Sequence, residues 1–289
     1  MDIETAPMKA IPAQQIDWPG LTGEMRPIPD HGETSYVGRD RLTGKRALIT
    51  GGDSGIGAAT AIAFAKEGAD VAIAYLPEEQ PDAEHVRDEI ERAGRRAVLI
   101  PGDLRTEEEC LRTVDEAVAG LGGLDIVVNN AGYQWGRKEG LAQISADGLR
   151  RTFETNVFAT VWVSQAALPH LSAGASIINC TSIQAYDPSE ALMDYAATKA
   201  ALNNLTVSMA EDLGPKGIRV NGVAPGPVWT PLQPATKTAD SVEKMGTDTP
   251  LGRAGQPIEV ATAFVYLASD EASYVSATIL GVTGGRPVF

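Results

Sequence analysis

Short apolar runs alternating with longer helical stretches constrain the fold of this chain more than any other feature. Seven such runs fall near 46–50, 70–75, 96–100, 124–129, 175–180, 218–223 and 277–282. Each is short enough to be a strand, and most of the gaps between them carry a stretch that reads as helix. Strands that are apolar on both faces belong to parallel sheets whose crossovers lay helices on each side. The alternation predicts an α/β fold, a Rossmann-type doubly wound parallel sheet of about seven strands with helices on both faces. At 289 residues the chain can bury one large core. Residues 41–289 are therefore read as a single domain, behind an arm at 1–40. Ligands on such sheets bind outside the carboxyl ends of the strands, so the segments that follow the strands hold the candidate site.

Residues 45–57 read K-R-A-L-I-T-G-G-D-S-G-I-G, with an apolar strand at Ala47–Thr50 and an alanine-rich helix from Ile56 to Lys66. Glycines between a strand and a helix allow a sharp turn and bring bare backbone to a helix N-terminus, where anions such as a pyrophosphate are favoured. The spacing T-G-x-x-x-G-x-G differs from the G-x-G-x-x-G dinucleotide fingerprint. Farther along, Ser182 precedes Tyr195 and Lys199. The last two, at i and i+4, share one face of the helix predicted from Leu192 to Ala210. An ammonium beside a phenol favours the phenolate, which would let a tyrosine act as acid or base near neutral pH.

T-G-x-x-x-G-x-G, then Asn129-Asn130-Ala131-Gly132, Asn156, Ser182, Tyr195, Lys199 and Pro225-Gly226 appear in that order. Together they resemble the short-chain dehydrogenase/reductase family, in its single-domain carbonyl-and-alcohol branch, over roughly residues 43–285. The arm ahead of T-G-G-D-S-G-I-G, with Y-L-P-E-E at 75–79 and P-G-D-L at 101–104, is similar to the glucose/ribitol dehydrogenase-like (aldehyde reductase) group. The resemblance implies that 41–289 is a dinucleotide-binding catalytic domain moving hydride between a nicotinamide and an aldehyde, ketone or sugar alcohol. It implies Tyr195 as general acid/base and Lys199 as the group that depresses its pKa and holds the nicotinamide ribose. Ser182 would fix the substrate oxygen, and Asn156 a water leading to Lys199. The implied cofactor contacts are Gly51, Asp53, Ser54, Gly55, Ile56, Gly57 and Tyr75, then Asp103 and Leu104 at the adenine. Asn130, Ala131 and Gly132 would lie under the adenosine ribose, and Pro225, Gly226, Val228 and Thr230 at the nicotinamide amide. A homotetramer follows from the resemblance alone.

An acid at the end of the second strand would bind the ribose 2′-hydroxyl, and an arginine there a 2′-phosphate. Tyr75 and Leu76 stand there, followed by Glu78 and Glu79, with Asp53 and Ser54 in the loop. With no basic residue evident, NAD(H) is expected over NADP(H). Substrate contacts are expected from Gln184, Tyr186 and Trp229, with Tyr133, Gln134 and Trp135 after the N-N-A-G turn. The stretch 230–255, rich in Thr, Pro and Gly, reads as a mobile lid.

The 38 acidic residues against 24 basic ones give a net charge of −14, which argues against nucleic acid or an anionic membrane as partner. His31, His85 and His170 lack ligand spacing, and Cys110 and Cys180 form no disulfide framework. No metal is expected. No apolar run reaches membrane-spanning length and no secretory signal opens the chain, so a cytoplasmic location is expected. The arm, with Pro7, Pro12, Pro19, Pro27 and Pro29, cannot bury a core alone. It reads as extended, either free or laid along the body through Trp18, Met25 and Tyr36. The rival reading is a nucleotide-sensing binding protein without catalysis. Such proteins usually lose the tyrosine or lysine, and both are present. Enoyl reductases of the family place six residues between the two, where this chain has three.

Overall fold

A computed structural model describes residues 11–289. The seven predicted strands form one sheet: β1 (Arg46–Thr50), β2 (Asp70–Tyr75), β3 (Ala97–Pro101), β4 (Ile126–Asn129), β5 (Ser176–Cys180), β6 (Arg219–Pro225) and β7 (Ile279–Val282). All pair in parallel, in the order β3-β2-β1-β4-β5-β6-β7. The order reverses between β1 and β4, and the crevice for a ligand opens there. Every residue of β4 and β5 is buried, as strands covered on both faces require.

The helices divide between the faces. α1 (Gly55–Lys66), α2 (Gln80–Arg92) and α9 (Pro257–Ala268) pack on one side around Phe64, Ile73 and Phe264. α3 (Glu107–Leu121), α5 (Ala159–Ala167) and α6 (Met193–Leu213) cover the other around Leu48, Val127 and Val163. α3 shows local rules setting the boundaries. Its N-cap Thr106 accepts from the Glu109 N–H, three acids occupy the first turn, and Gly122 ends it at φ 79°.

The first ten residues of the expected arm, Pro7 among them, lie outside the described residues. From Ile11 the chain runs along the body with one short 3-10 helix, Thr22–Glu24, and a turn at 33–35. Met25 is fully buried and the Trp229 indole donates to the Pro27 carbonyl at 2.8 Å. Residues 230–255 are not bare loop. They fold as α7 (Leu232–Thr236) and α8 (Ala239–Glu243), and Val242 and Met245 join Ile11, Met25 and Trp229 in a small core of their own. Apolar residues scattered through two polar segments thus find each other, a pairing that periodicity does not reveal.

Candidate active site

The glycine turn after β1 is fixed by close backbone packing. Gly51 adopts φ +60°, and a Cβ on Gly57 would come within 1.8 Å of the Gly51 carbonyl oxygen. Gly57 therefore shapes the loop from beneath and does not line the cleft. Asn130 Nδ2 donates to the carbonyls of Thr50 (3.0 Å) and Gly51 (2.9 Å), while Thr50 Oγ1 accepts from the N–H groups of Asn130 and Ala131, both at 3.0 Å. These bonds lock the turns on either side of the switch point together, so the Asn130 side chain is committed to the loop.

Above these turns lies a cleft of about 1290 Å³, solvent at its mouth included. Gly51, Asp53, Ser54, Gly55 and Ile56 line one stretch of it and Tyr75, Asp103 and Leu104 another. Asn130, Ala131 and Gly132 form its floor at the switch point, and Pro225, Gly226, Val228 and Thr230 line it beyond β6. Ser182, Tyr195 and Lys199 also border it. Asp103 is held by Arg105 at 2.6 Å.

Three expected substrate residues lie elsewhere. Trp229 is wholly buried against the arm, because its indole N–H and its large apolar area are both satisfied there. Gln184 spends its Oε1 on the Ser189 N–H at 2.8 Å, and neither it nor Tyr186 borders the cleft. Asn156 also stands behind the wall. It sits in a π-helical turn, Glu154–Phe158, between α4 (Ala146–Phe153) and α5. Its Oδ1 accepts from the Tyr133 N–H at 2.7 Å. Its Nδ2 donates to the Tyr133 carbonyl and to Thr198 Oγ1, both at 2.9 Å. Thr198 Oγ1 in turn donates to the Tyr195 carbonyl at 2.6 Å. Its amide thus joins the turn after β4 to the tyrosine's helix.

Lys199 Nζ donates to the Cys180 carbonyl at 2.7 Å and lies 5.4 Å from the centre of the Tyr195 ring. Tyr195 is partly exposed and borders the cleft. Burial raises the phenol well above its ordinary value, opposed by the Ser182 hydroxyl. Burial likewise lowers Lys199. The expected depression of the phenol by Lys199 is not what this geometry gives: both groups are pushed toward their neutral forms.

A second electrostatic feature lies at the opposite part of the cleft. Both carboxylate oxygens of Asp53 are buried without a hydrogen-bond partner. Burial raises Asp53 to about 7 and Glu79, which also lines the cleft, to about 9, with the nearby acids adding to each shift. The glycine cradle at the start of α1 fits a pyrophosphate, and the orphaned Asp53 fits a hydroxyl donor. The residues present thus suit a dinucleotide.

Sequence reasoning missed two groups here. Trp18 and Pro19 of the arm line the cleft, as does Arg151 of α4. Asp194, one residue before Tyr195, is nearly buried and accepts from Arg137 Nη1 (2.7 Å), Thr152 Oγ1 (3.1 Å) and the Tyr195 N–H (3.0 Å). Trp18 was noted only as an apolar residue of the arm, and Arg137, Arg151 and Asp194 carried no signal of spacing.

A family model described as enoyl-(acyl carrier protein) reductase matches residues 51–286. A short-chain dehydrogenase from Burkholderia cenocepacia, solved in complex with NADP, superposes with a TM-score of 0.80 at 39% identity, covering 85% of this chain and 98% of that one. This chain belongs to the short-chain dehydrogenase/reductase family. An uncharacterized oxidoreductase of Bacillus subtilis is 52% identical to this dehydrogenase/reductase over 98% of its length and 97% of the relative's. A glucose and ribitol dehydrogenase of Daucus carota is 42% identical, over 96% and 97%. The short-chain dehydrogenase/reductase described here is accordingly an oxidoreductase that works with a nicotinamide cofactor.

Proposed function

We propose that this enzyme interconverts a carbonyl and an alcohol, on an aldehyde, ketone or sugar alcohol, with Tyr195 as general acid/base. The observation that carries this reading is the placement of Ser182, Tyr195 and Lys199 on the same cleft as the glycine turn. A bound nicotinamide supplies or accepts the hydride. In reduction the Ser182 hydroxyl orients the substrate oxygen, and the Tyr195 hydroxyl gives it a proton as the carbon gains hydride. Lys199, whose Nζ lies 5.4 Å from the centre of the Tyr195 ring, is the ammonium placed to return the phenol's proton. Asn156 keeps the helix that carries the tyrosine in register with the turn after β4.

The same reading takes NAD(H) as the preferred cofactor. The Burkholderia enzyme binds NADP, but here Asp53 and Glu79 present two carboxyl groups on the cleft. A ribose hydroxyl would donate to Asp53, whereas a 2′-phosphate would be repelled by either carboxyl group as it ionises. The test follows nicotinamide absorbance with NADH and NADPH over a panel of aldehydes, ketones and sugars, and NAD⁺ with polyols. Expected are a preference for NADH of tenfold or more, narrowed by Asp53→Ser, and a loss of roughly 10²–10⁴ in turnover in Tyr195→Phe. Turnover within tenfold of the parent in Tyr195→Phe would remove the tyrosine from its role. Cofactor binding with no turnover on any substrate would favour the binding-protein reading.

A further inference from the structure

The catalytic end of the cleft is walled by two segments that lie outside the sheet, the arm and α7. Gly132 and Tyr133 mark that end. A Cβ on Gly132 would lie 3.8 Å from both Asn156 Oδ1 and Lys199 Nζ, and the Tyr133 N–H and carbonyl are both bonded to the Asn156 amide. Trp18 of the arm stands edge-on to the Tyr133 ring, with centres 5.1 Å apart and planes at 78°, and both residues border the cleft. The arm is fixed to α7 here. The Ile16 N–H donates to the Pro234 carbonyl at 3.2 Å, and a Cβ on Gly20 would come within 3.1 Å of the Pro231 carbonyl oxygen.

α7 in turn packs on the chain that follows Tyr133. Gln134 Nε2 donates to Thr236 Oγ1 at 3.0 Å, and the Gly136 N–H to the Thr236 carbonyl at 2.9 Å. Gln233 stands one turn earlier on the same helix face and borders the cleft. Its Oε1 is buried with no hydrogen-bond partner among the described residues. Native proteins leave few such atoms. Asp53 is the other cleft residue with orphaned oxygens, and a cofactor ribose would meet it; Gln233 has no such role. An orphaned amide oxygen needs a donor, and the amide nitrogen beside it can donate to a neighbouring oxygen. A carbon chain with hydroxyls on adjacent carbons offers both, whereas a plain alkyl chain leaves the acceptor unpaired. The Trp18 and Tyr133 rings give the C–H groups of such a chain an apolar surface and keep water from competing.

We propose that Gln233 is a specificity-determining residue that hydrogen-bonds a hydroxyl group of the substrate against the apolar wall supplied by Trp18, so that the enzyme prefers polyhydroxylated carbonyl compounds to plain aldehydes. This rests on the reading of the enzyme as one that reduces carbonyl groups. Matched pairs of equal chain length test it on the full chain with saturating cofactor: glyceraldehyde against propanal and erythrose against butanal, each with the parent, Gln233→Met and Trp18→Ala. The parent should favour the hydroxylated member of each pair by about tenfold or more in kcat/KM. Gln233→Met keeps the length of the side chain without its donor and acceptor. It should cut that ratio about tenfold through loss on the hydroxylated member, with the plain aldehyde unchanged or faster. Trp18→Ala admits water to the amide and should narrow the ratio in the same direction; should it fail to fold, Gln233→Met decides alone. In Gln233→Met the cofactor's Kd should stay within twofold of the parent's and the ligand-free melting temperature should not fall, since the buried oxygen bonds to nothing in the protein. An unchanged ratio, equal losses on both members of a pair, or a cofactor Kd raised tenfold would each overturn the proposal, the last by giving the amide to the cofactor. A parent that reduces no member of either pair with NADH or NADPH would instead bring down the carbonyl-reducing reading.

Discussion

Burial acts on Tyr195 and Lys199 in the same direction, and this determines which half of the reaction each is ready for. The phenol is raised above its ordinary value and the amine lowered, so the resting tyrosine holds its proton. That is the form carbonyl reduction needs. Alcohol oxidation needs the phenolate, which for a group titrating above about 10 is less than about one part in 10³ at pH 7 and grows about tenfold per pH unit. The expected outcome is a log kcat for oxidation that climbs with a slope near one from pH 7 to 9, while reduction stays nearly flat. A plateau in oxidation below pH 7 would show that Lys199 overcomes burial. The i,i+4 spacing made the two residues neighbours in the sequence, but it carried no information on where Nζ points. The Cys180 carbonyl at 2.7 Å decides that, and a backbone acceptor at the end of β5 leaves no mark in the pattern.

At the scale of elements, the start of α6 is tied down by a buried charge. Arg137 and Asp194 are 7% and 1% exposed at 2.7 Å, and the same carboxylate binds α4 through Thr152 and the Tyr195 N–H. Removing the cation alone leaves a buried carboxylate without its counter-charge, which typically costs about 3–5 kcal/mol. Arg137→Met should lose stability on that scale in urea unfolding and lower kcat by more than it raises the cofactor's Kd, since it loosens the helix that aims the phenol. Stability within about 1 kcal/mol of the parent would mean that the pair contributes little. The strands and the long helices were legible because their signals are local. β1, β2 and α1 fall within a residue of the expected limits, and the glycine turn is readable because a Cβ at Gly57 has no room. The failures share the opposite cause. Trp229 looked like a cleft residue from its neighbours in sequence, but its partner is Pro27, 202 positions away. Arg137 and Asp194 are 57 apart, and no periodicity links them.

For the whole molecule, the net charge of −14 overstates what the folded chain carries near its cleft. Burial pushes Asp53 up to about 7 and Glu79 up to about 9, with Asp82 raised as well. In the unfolded chain such groups release their protons near pH 4. Between those limits the folded state binds more protons, so stability is full below about pH 4 on this account and falls as pH rises through 7 and 9. Other carboxylates act the other way. Glu67, buried beneath the arm, is lowered to about 2 because the hydrogen bonds from Arg41 and Tyr36 outweigh its burial. Its contribution is lost as pH falls from about 4 toward 2. The arm is thus fastened by an ionised carboxylate, while burial favours the protonated form of the acids at the cleft beside it. Ligand-free stability should peak in mildly acidic solution and decline toward pH 9, with a slope of at most about 1.4 kcal/mol per pH unit for each group. Asp53→Asn should flatten the decline between pH 5 and 8, because its side chain has no proton to lose there, and leave the acid limb unchanged. Urea midpoints from pH 3 to 9 for the two proteins measure both limbs. Parallel curves above pH 5 would show that solvent or a neighbouring donor already stabilises the Asp53 charge, leaving the carboxylate ionised at neutral pH.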